Sequence, residues 1–222
     1  MHFEVPKAKT LKEFGGEYLM IVISILTALA LEHGVQTMHH HTVAREASEK
    51  IDAEIRDNIK EIGLARDHNA VEMKKLELIR DALLVDLKAK VEEDVLRKRL
   101  LKEYAGAFSL SMRAPSLRRE AWEVAVANQA VSWMPAETLK RYSAIYATMR
   151  DVQSYTGGAS RTFLNGPQML DTMSNATMGV VDARDAFRML NQIISSYSSI
   201  NGNLNELKTL MDEQKQAPVT KH

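Results

Sequence analysis

The sequence contains no cysteine, and this absence removes several classes of chemistry. Disulfide bonds, thiolate metal sites, iron–sulfur clusters and cysteine nucleophiles are all excluded. The absence does not define a compartment, because many proteins of the bacterial periplasm also lack cysteine.

An excess of charge and the common catalytic motifs are also missing. Lysine plus arginine number 29, and aspartate plus glutamate number 29, so the formal net charge is zero. A balanced chain gives no support to nucleic-acid binding or to polybasic attachment to lipid. There is no G-x-S-x-G elbow, no P-loop, no G-x-G-x-x-G and no H-E-x-x-H. We therefore expect neither an enzyme nor a cofactor.

Proline is absent between Pro6 and Pro115, in a stretch rich in Ala, Leu, Glu, Lys and Arg that predicts long helices. One apolar stripe at helical spacing comprises Val43, Ala47, Ile51, Ile55, Ile59 and Ile62. No β pattern of useful length is present. The predicted fold class is all-α, with an N-terminal transmembrane helix that continues into a long amphipathic helix and an antiparallel helical bundle.

The most informative feature that is present is the apolar run Tyr18–Leu31, which carries no charge. Extended from Phe14 to Val35, it has about 22 residues and a helical length of roughly 33 Å. This length is sufficient to span a membrane. Glu17 and Glu32 then fall near opposite interfaces, and the sequence predicts a single-pass anchor.

Two alternatives to the anchor remain open. A cleaved signal peptide would use Lys7, Lys9 and Lys12 as its basic region and Ala28-Leu29-Ala30 as a small-x-small cleavage site. A buried core helix is the other alternative. For an anchor, the three lysines before the span outweigh Arg45 and Lys50 after it. This predicts a bacterial inner-membrane protein with its N-terminus inside and most of the chain in the periplasm.

The pattern divides the chain into five parts. These are a short N-terminal tail (1–13), the transmembrane helix (14–35), a long helical stalk or hairpin (36–105), a helical bundle (106–215) and a disordered tail (216–222).

Glycine and proline predict where the helices are interrupted. We expect a kink at 63–69, a second amphipathic stretch over 71–104, and a third helix from Pro115 or Ser116 to about Ala130. Pro135 is expected at the first position of a fourth helix that ends at Gly157-Gly158. After a break at 165–167, a last helix should cover 168–214, with a bend near Gly179 or Gly202.

One face of the span carries small and polar residues. Glu17, Ser24, Thr27, Ala28 and Leu31 lie close together on a helical wheel, and Ser24 and Ala28 form a small-xxx-small pair. This pattern predicts contact with membrane lipid and with a second copy or another membrane protein. The alternative is that Ser24 and Thr27 merely bond to their own backbone carbonyls.

Four histidines lie at the C-terminal end of the span or just beyond it, at His33, His39, His40 and His41. Imidazole binds zinc, copper and nickel, but no pair here has the i, i+3 or i, i+4 spacing of a two-histidine site on a helix. Rings from several copies could still meet around one metal ion. A titratable polar collar in the headgroup zone is the other interpretation.

The aromatic residues concentrate in the block 115–150, which contains Trp122, Trp133, Tyr142 and Tyr146. Tryptophan and tyrosine bury a large area while keeping a polar group. The block predicts either two short helices packed into a core or a partner-binding groove.

The span with its exit, GEYLMIVISILTALALEHGVQTMHHHTVAREASEKIDAEIRDNIKEI, and the A-W-E…S-W-M-P…L-x-R-Y-x-x-I-Y block together resemble a family. It comprises uncharacterised proteobacterial single-pass membrane proteins with an N-terminal transmembrane helix and an all-helical remainder. The resemblance covers about half of the chain. It implies the anchor and the bundle, and it implies no activity or catalytic residue.

Three functions follow as hypotheses. The first is a non-enzymatic membrane-anchored helical protein that oligomerises or serves as an accessory subunit of a membrane complex. The second is a periplasmic sensor or binding module for a ligand or metal, which signals through a partner. An enzyme is the third, and the missing motifs disfavour it.

Overall fold

The computed structural model describes residues 11–103, 111–164 and 166–216, and these parts are helical without any strand. The helices are α1 (Leu11–Lys88), α2 (Glu93–Lys102), α3 (Glu120–Ala127), α4 (Ala136–Leu164), α5 (Pro167–Thr177) and α6 (Ala183–Gln216). A short 3-10 helix, Ala130–Trp133, lies between α3 and α4. The all-α prediction is confirmed. Most of both predicted tails, 1–10 and 217–222, lies outside the described residues.

Helix α1 runs without interruption for 78 residues, a length of roughly 117 Å at about 1.5 Å per residue. The kink expected at 63–69 does not interrupt the helix, which continues through Gly63. A glycine inside a helix costs about 1 kcal/mol relative to alanine. Packing on both sides of Gly63 offsets that cost, since Ile62 and Ala65 are completely buried.

The chain reverses after α1 rather than continuing as one helix to residue 104. Lys90 has a positive φ of 55°, and α2 returns alongside the end of α1. An ion pair between Arg99 of α2 and Asp86 of α1 joins the two helices. Residues 104–110 lie outside the described part of the chain.

The third helix starts later than expected, at Glu120 instead of Pro115 or Ser116. Residues 111–119 have no regular secondary structure and lie along α1. The first residue of α4 is Ala136 rather than Pro135, whose carbonyl accepts the Leu139 N–H at 3.0 Å.

Two of the three interruptions predicted in the later helices are present. Helix α4 ends at Leu164 and α5 begins at Pro167, so the break predicted at 165–167 is one of them. Gly157-Gly158 does not end α4, which continues to Leu164. The predicted single last helix is divided into α5 and α6 at Gly179, whose φ of 75° is in the region that favours glycine. Gly202 lies inside α6, so the interruption expected near Gly179 or Gly202 occurs at Gly179, as a break rather than a bend.

The bundle has two apolar clusters along α1. The cluster nearer the N-terminus of α1 joins α1, α3, the 3-10 helix, α4 and α6, and includes Ile51, Ile145 and Leu204. The farther cluster joins α1, α2, α5 and α6, and includes Leu83 and Leu190. Helix α4 therefore runs in the same direction as α1, and α6 runs antiparallel to it.

Candidate functional site

The N-terminal part of α1 projects beyond the bundle with its apolar surface uncovered. From Gly15 onward, α1 contains an apolar window long and apolar enough to cross a membrane, and none of that window is buried. Ile23, Leu26 and Met38 are 54%, 60% and 73% exposed. The first buried residue of α1 is Ala44. No described residue covers this projecting segment, so it does not serve as a core helix of this chain.

The predicted contact face of the span also lies on this uncovered surface. The Ser24 hydroxyl donates to the Met20 carbonyl at 2.8 Å, and the Thr27 hydroxyl donates to the Ile23 carbonyl at 2.8 Å. Ala28 and Leu31 are exposed, as is Glu17. Both hydroxyls thus donate hydrogen bonds to backbone carbonyls of their own helix, as the alternative interpretation holds. The face that they share with Ala28 still consists of small side chains.

The histidines that follow the span do not converge within one copy of the chain. The His39 and His40 ring centroids are 6.1 Å apart, and His33 and His41 are exposed. Among the described residues, no group of three His, Asp or Glu side chains is placed to hold a metal ion. A metal site shared between copies stays a prediction.

His40 has a specific partner that its sequence position did not indicate. Its ring stacks on the Trp133 indole with centroids 3.6 Å apart and an interplanar angle of 11°. Trp133 is 49% exposed, although its neighbour Met134 is buried. The 3-10 helix is therefore attached to α1 just where the projecting segment ends.

The other three residues of the aromatic block belong to the core. Trp122 stacks on Tyr146 with ring centroids 5.3 Å apart. The Tyr146 hydroxyl donates to Glu54 Oε1 at 2.6 Å, and the Tyr142 hydroxyl donates to Asp52 Oδ1 at 2.8 Å. These contacts join α3 and α4 to α1. For these three residues they agree with the interpretation of the block as part of a core, and not with that of a partner-binding groove.

The buried tyrosines give the bundle a predicted sensitivity to alkali. Burial, followed by the hydrogen bond to Glu54, raises the pKa of Tyr146 above its usual value of about 10. Burial and the charge of Asp52 raise the pKa of Tyr142 in the same direction. The stability linked to these protons is complete below pH of about 10 and is lost as the pH rises towards the folded-state pKa values.

We therefore expect the free energy of unfolding to fall as the pH is raised above about 10. Tyrosinate absorbance, recorded together with circular dichroism, should show Tyr142 and Tyr146 ionising only as the helices unfold. The Tyr142→Phe variant should lose part of this pH dependence, and Tyr155→Phe, at a half-exposed position, should keep all of it. Early ionisation of all tyrosines in the folded protein would contradict the prediction.

Two buried asparagines on α1 hold residues 111–119 against the helix. Asn58 Nδ2 donates to the Arg118 carbonyl, and Asn58 Oδ1 accepts the Arg118 N–H, both at 2.8 Å. Asn69 bonds in the same way to the carbonyl and N–H of Arg113, at 3.0 and 2.8 Å. Farther along, Glu54 Oε2 accepts the Ala121 N–H at 2.9 Å. These side chains supply hydrogen-bond partners for the backbone N–H and carbonyl groups of a segment that has no regular secondary structure.

Sequence reasoning missed these asparagines, although a signal was present. Asn58 and Asn69 are 1% and 0% exposed, and each lies on the same face as the apolar stripe of α1. An amide there needs buried partners. The pattern therefore predicts a bonded neighbour, but it does not identify which segment supplies it.

A cleft of about 300 Å³ lies beside this segment, lined by Ala114, Pro115, Leu117, Val152, Gln153, Thr156 and Leu204. Its two polar side chains are already engaged, Gln153 with the Leu117 carbonyl at 3.0 Å and Thr156 with the Val152 carbonyl at 2.7 Å. The cleft lies at the level of Asn58, about 27 Å along α1 from His40. A ligand held there would not contact the histidines.

Comparison with family models, with curated proteins and with solved structures gives no match to this chain. The structure itself defines the class of protein. It is an all-helical bundle whose longest helix projects from one end as an uncovered apolar segment, long enough to cross a membrane.

Proposed function

We propose that this chain is a non-enzymatic, membrane-anchored helical protein that oligomerises or serves as an accessory subunit of a membrane complex. The observation that carries the proposal is the contrast along α1. From Ala44 onward one face of the helix is buried against the bundle, whereas the apolar window before Ala44 is uncovered. Apolar surface of this extent favours lipid or a partner over water, and a helix satisfies its own backbone in lipid.

The membrane is proposed to be a bacterial inner membrane, with the bundle in the periplasm. The supporting observations are the three lysines before the span and the resemblance to proteobacterial single-pass proteins. Neither observation depends on the bundle itself.

The face with Ser24, Thr27 and Ala28 is proposed as the contact surface within the membrane. Because both hydroxyls bond to their own backbone, this face can approach another helix closely without needing a polar partner. Small residues permit such approach, and van der Waals packing then drives the association. Since α1 is continuous, contact here would also position the bundles beside each other.

Crosslinking along the span tests this contact. The chain has no cysteine, so a single substitution introduces the only thiol. In native membranes, disulfide-linked dimers should peak for Ser24→Cys and Ala28→Cys and be lowest for Val22→Cys and Leu26→Cys on the opposite face. A flat profile without helical periodicity would exclude self-association through this face.

Native mass spectrometry of the solubilised protein tests whether the partner is a different membrane protein instead of a second copy. A homo-oligomer or a co-purifying membrane protein supports the proposal. A clean monomer without any partner counts against it, whatever the crosslinking profile.

The second candidate function is a periplasmic sensor or binding module that signals through a partner. The apolar cleft between residues 114–117 and α4 is the observation that favours it. Its volume is at the lower end of the range of small-molecule sites. A monomer that carries a bound small molecule would support this function over the first.

A further inference from the structure

We propose that the end of the bundle next to the span rests on the membrane surface, with Trp133 inserted among the lipid headgroups. This end, residues 124–136, is called the membrane-proximal tip. The inference rests on the proposed membrane anchor, and it adds a second attachment that the anchor alone does not require.

The height of the tip follows from one contact. Trp133 stacks on His40 at a centroid distance of 3.6 Å, so the two rings are at the same level along α1. His40 is five residues beyond Val35, which is about 8 Å along the helix. The headgroup layer beyond the hydrocarbon core is roughly 5–8 Å thick on each side. Side chains on a helix also lean towards its N-terminus, which here is the membrane side.

The composition of the tip suits this position. Its sequence, VAVANQAVSWMPA, carries no charge between Glu123 and Glu137, although 26% of the whole chain is charged. Val124, Val126 and Trp133 are 59%, 46% and 49% exposed, so burial in the core does not account for the missing charge of the tip.

The exposed residues of the tip are of the type that lipid interfaces select. Tryptophan is enriched at the boundary between membrane and water, because its ring is apolar and its N–H is polar. A partner protein could also cover such a surface. The level of Trp133 favours lipid, since the headgroups reach that level without any further component.

Attachment at the tip would limit the motion of the bundle. The projecting helix alone permits the bundle to tilt and rotate about the span. Trp133 packs on α1 through His40, so its contact with lipid would select one tilt direction and would orient the rest of the bundle.

Tryptophan fluorescence tests the inference, because the chain has only two tryptophans. The Trp122→Phe variant retains Trp133 alone and is reconstituted in phosphatidylcholine vesicles with brominated acyl chains. We expect its emission to be blue-shifted and quenched. Bromine near the carbonyl end of the acyl chain should quench it more strongly than bromine near the terminal methyl group. The control is Trp133→Phe, whose remaining Trp122 is stacked on Tyr146 in the bundle and should not be quenched.

A second measurement avoids any disturbance of the Trp122 stack. Ser132→Cys in the otherwise unchanged chain places one nitroxide label in the tip, and Ser143→Cys places one on an exposed turn of α4. Oxygen, which partitions into lipid, should relax the tip label more than the control label, and a water-soluble metal complex should do the reverse.

The outcomes separate the two proposals. Vesicle flotation with an unquenched Trp133 and equal label accessibilities would overturn the tip contact and leave the anchor in place. A blue-shifted but unquenched Trp133 would place the tip against protein instead of lipid and would also overturn the tip contact. Failure to float with vesicles would overturn the anchor, and the tip contact with it.

Discussion

Arginine at Ile23 and Leu26 together should release this protein from membranes. Each arginine near the centre of a span costs about 2.5–3.5 kcal/mol and replaces a residue that contributes roughly −0.5 kcal/mol, so the pair costs about 7 kcal/mol. That cost corresponds to a change of about five orders of magnitude in partitioning. Both positions are exposed in the described structure, so the substitutions should leave the fold of the bundle unchanged.

The matched control lies on the same helix. Val71 and Leu78 are 57% and 62% exposed, and they lie within the bundle region of α1. The double variant Val71→Arg with Leu78→Arg should remain in the membrane fraction after a high-salt wash at neutral pH. The variant Ile23→Arg with Leu26→Arg should appear in the supernatant with the same helical circular dichroism. If the Ile23 and Leu26 variant stayed in the membrane fraction, the projecting segment would not be the anchor.

The largest effect on stability is expected at Asn58. Replacing it with leucine preserves the approximate size of the side chain but leaves the N–H and the carbonyl of Arg118 without their partners. An unsatisfied buried group costs about 1–3 kcal/mol, so the loss of both partners should cost about 2–6 kcal/mol. This is a large part of the roughly 5–15 kcal/mol that stabilises a typical domain.

Asn191 provides the control, because its amide donates only to the Phe187 carbonyl one turn earlier in α6. Asn191→Leu should change the free energy of unfolding by less than about 1 kcal/mol. Urea unfolding followed by circular dichroism compares the two variants.

Trypsin adds a local measurement at the segment that Asn58 holds. Cleavage after Arg118 and Arg119 should accelerate in Asn58→Leu, while Asn69 still holds the backbone at Arg113. Equal stability and equal cleavage in Asn58→Leu and Asn191→Leu would show that the asparagine contacts do not stabilise the fold.

The fold class follows from local properties of the sequence, which explains why it was predictable. Helix propensity and the missing proline act on each residue and its near neighbours, so the helical class of the chain was evident. Interruptions were less predictable. Gly63 and Gly202 lie inside helices while Gly179 ends one, because burial of neighbouring side chains decides whether the cost of a glycine is offset.

The candidate sites divide in the same way. The shared helix face of Ser24, Ala28 and the other span residues follows from their spacing within one segment. The His40–Trp133 stack and the two hydrogen bonds between Asn58 and Arg118 join residues that are far apart in the chain. Such contacts depend on how the helices pack, and residue spacing does not encode them.

The sequence by itself thus determined an all-helical protein, a mostly apolar segment (14–35) long enough to span a membrane, and the exclusion of cysteine chemistry. These properties depend on composition and on periodicity within single segments. Only the tertiary structure decided that the apolar segment is uncovered, that residues 111–119 are held on buried asparagines, and that Trp133 lies at the exit of the span. Each of these depends on contacts between distant parts of the chain, where packing and hydrogen bonding select one arrangement among many of similar local energy.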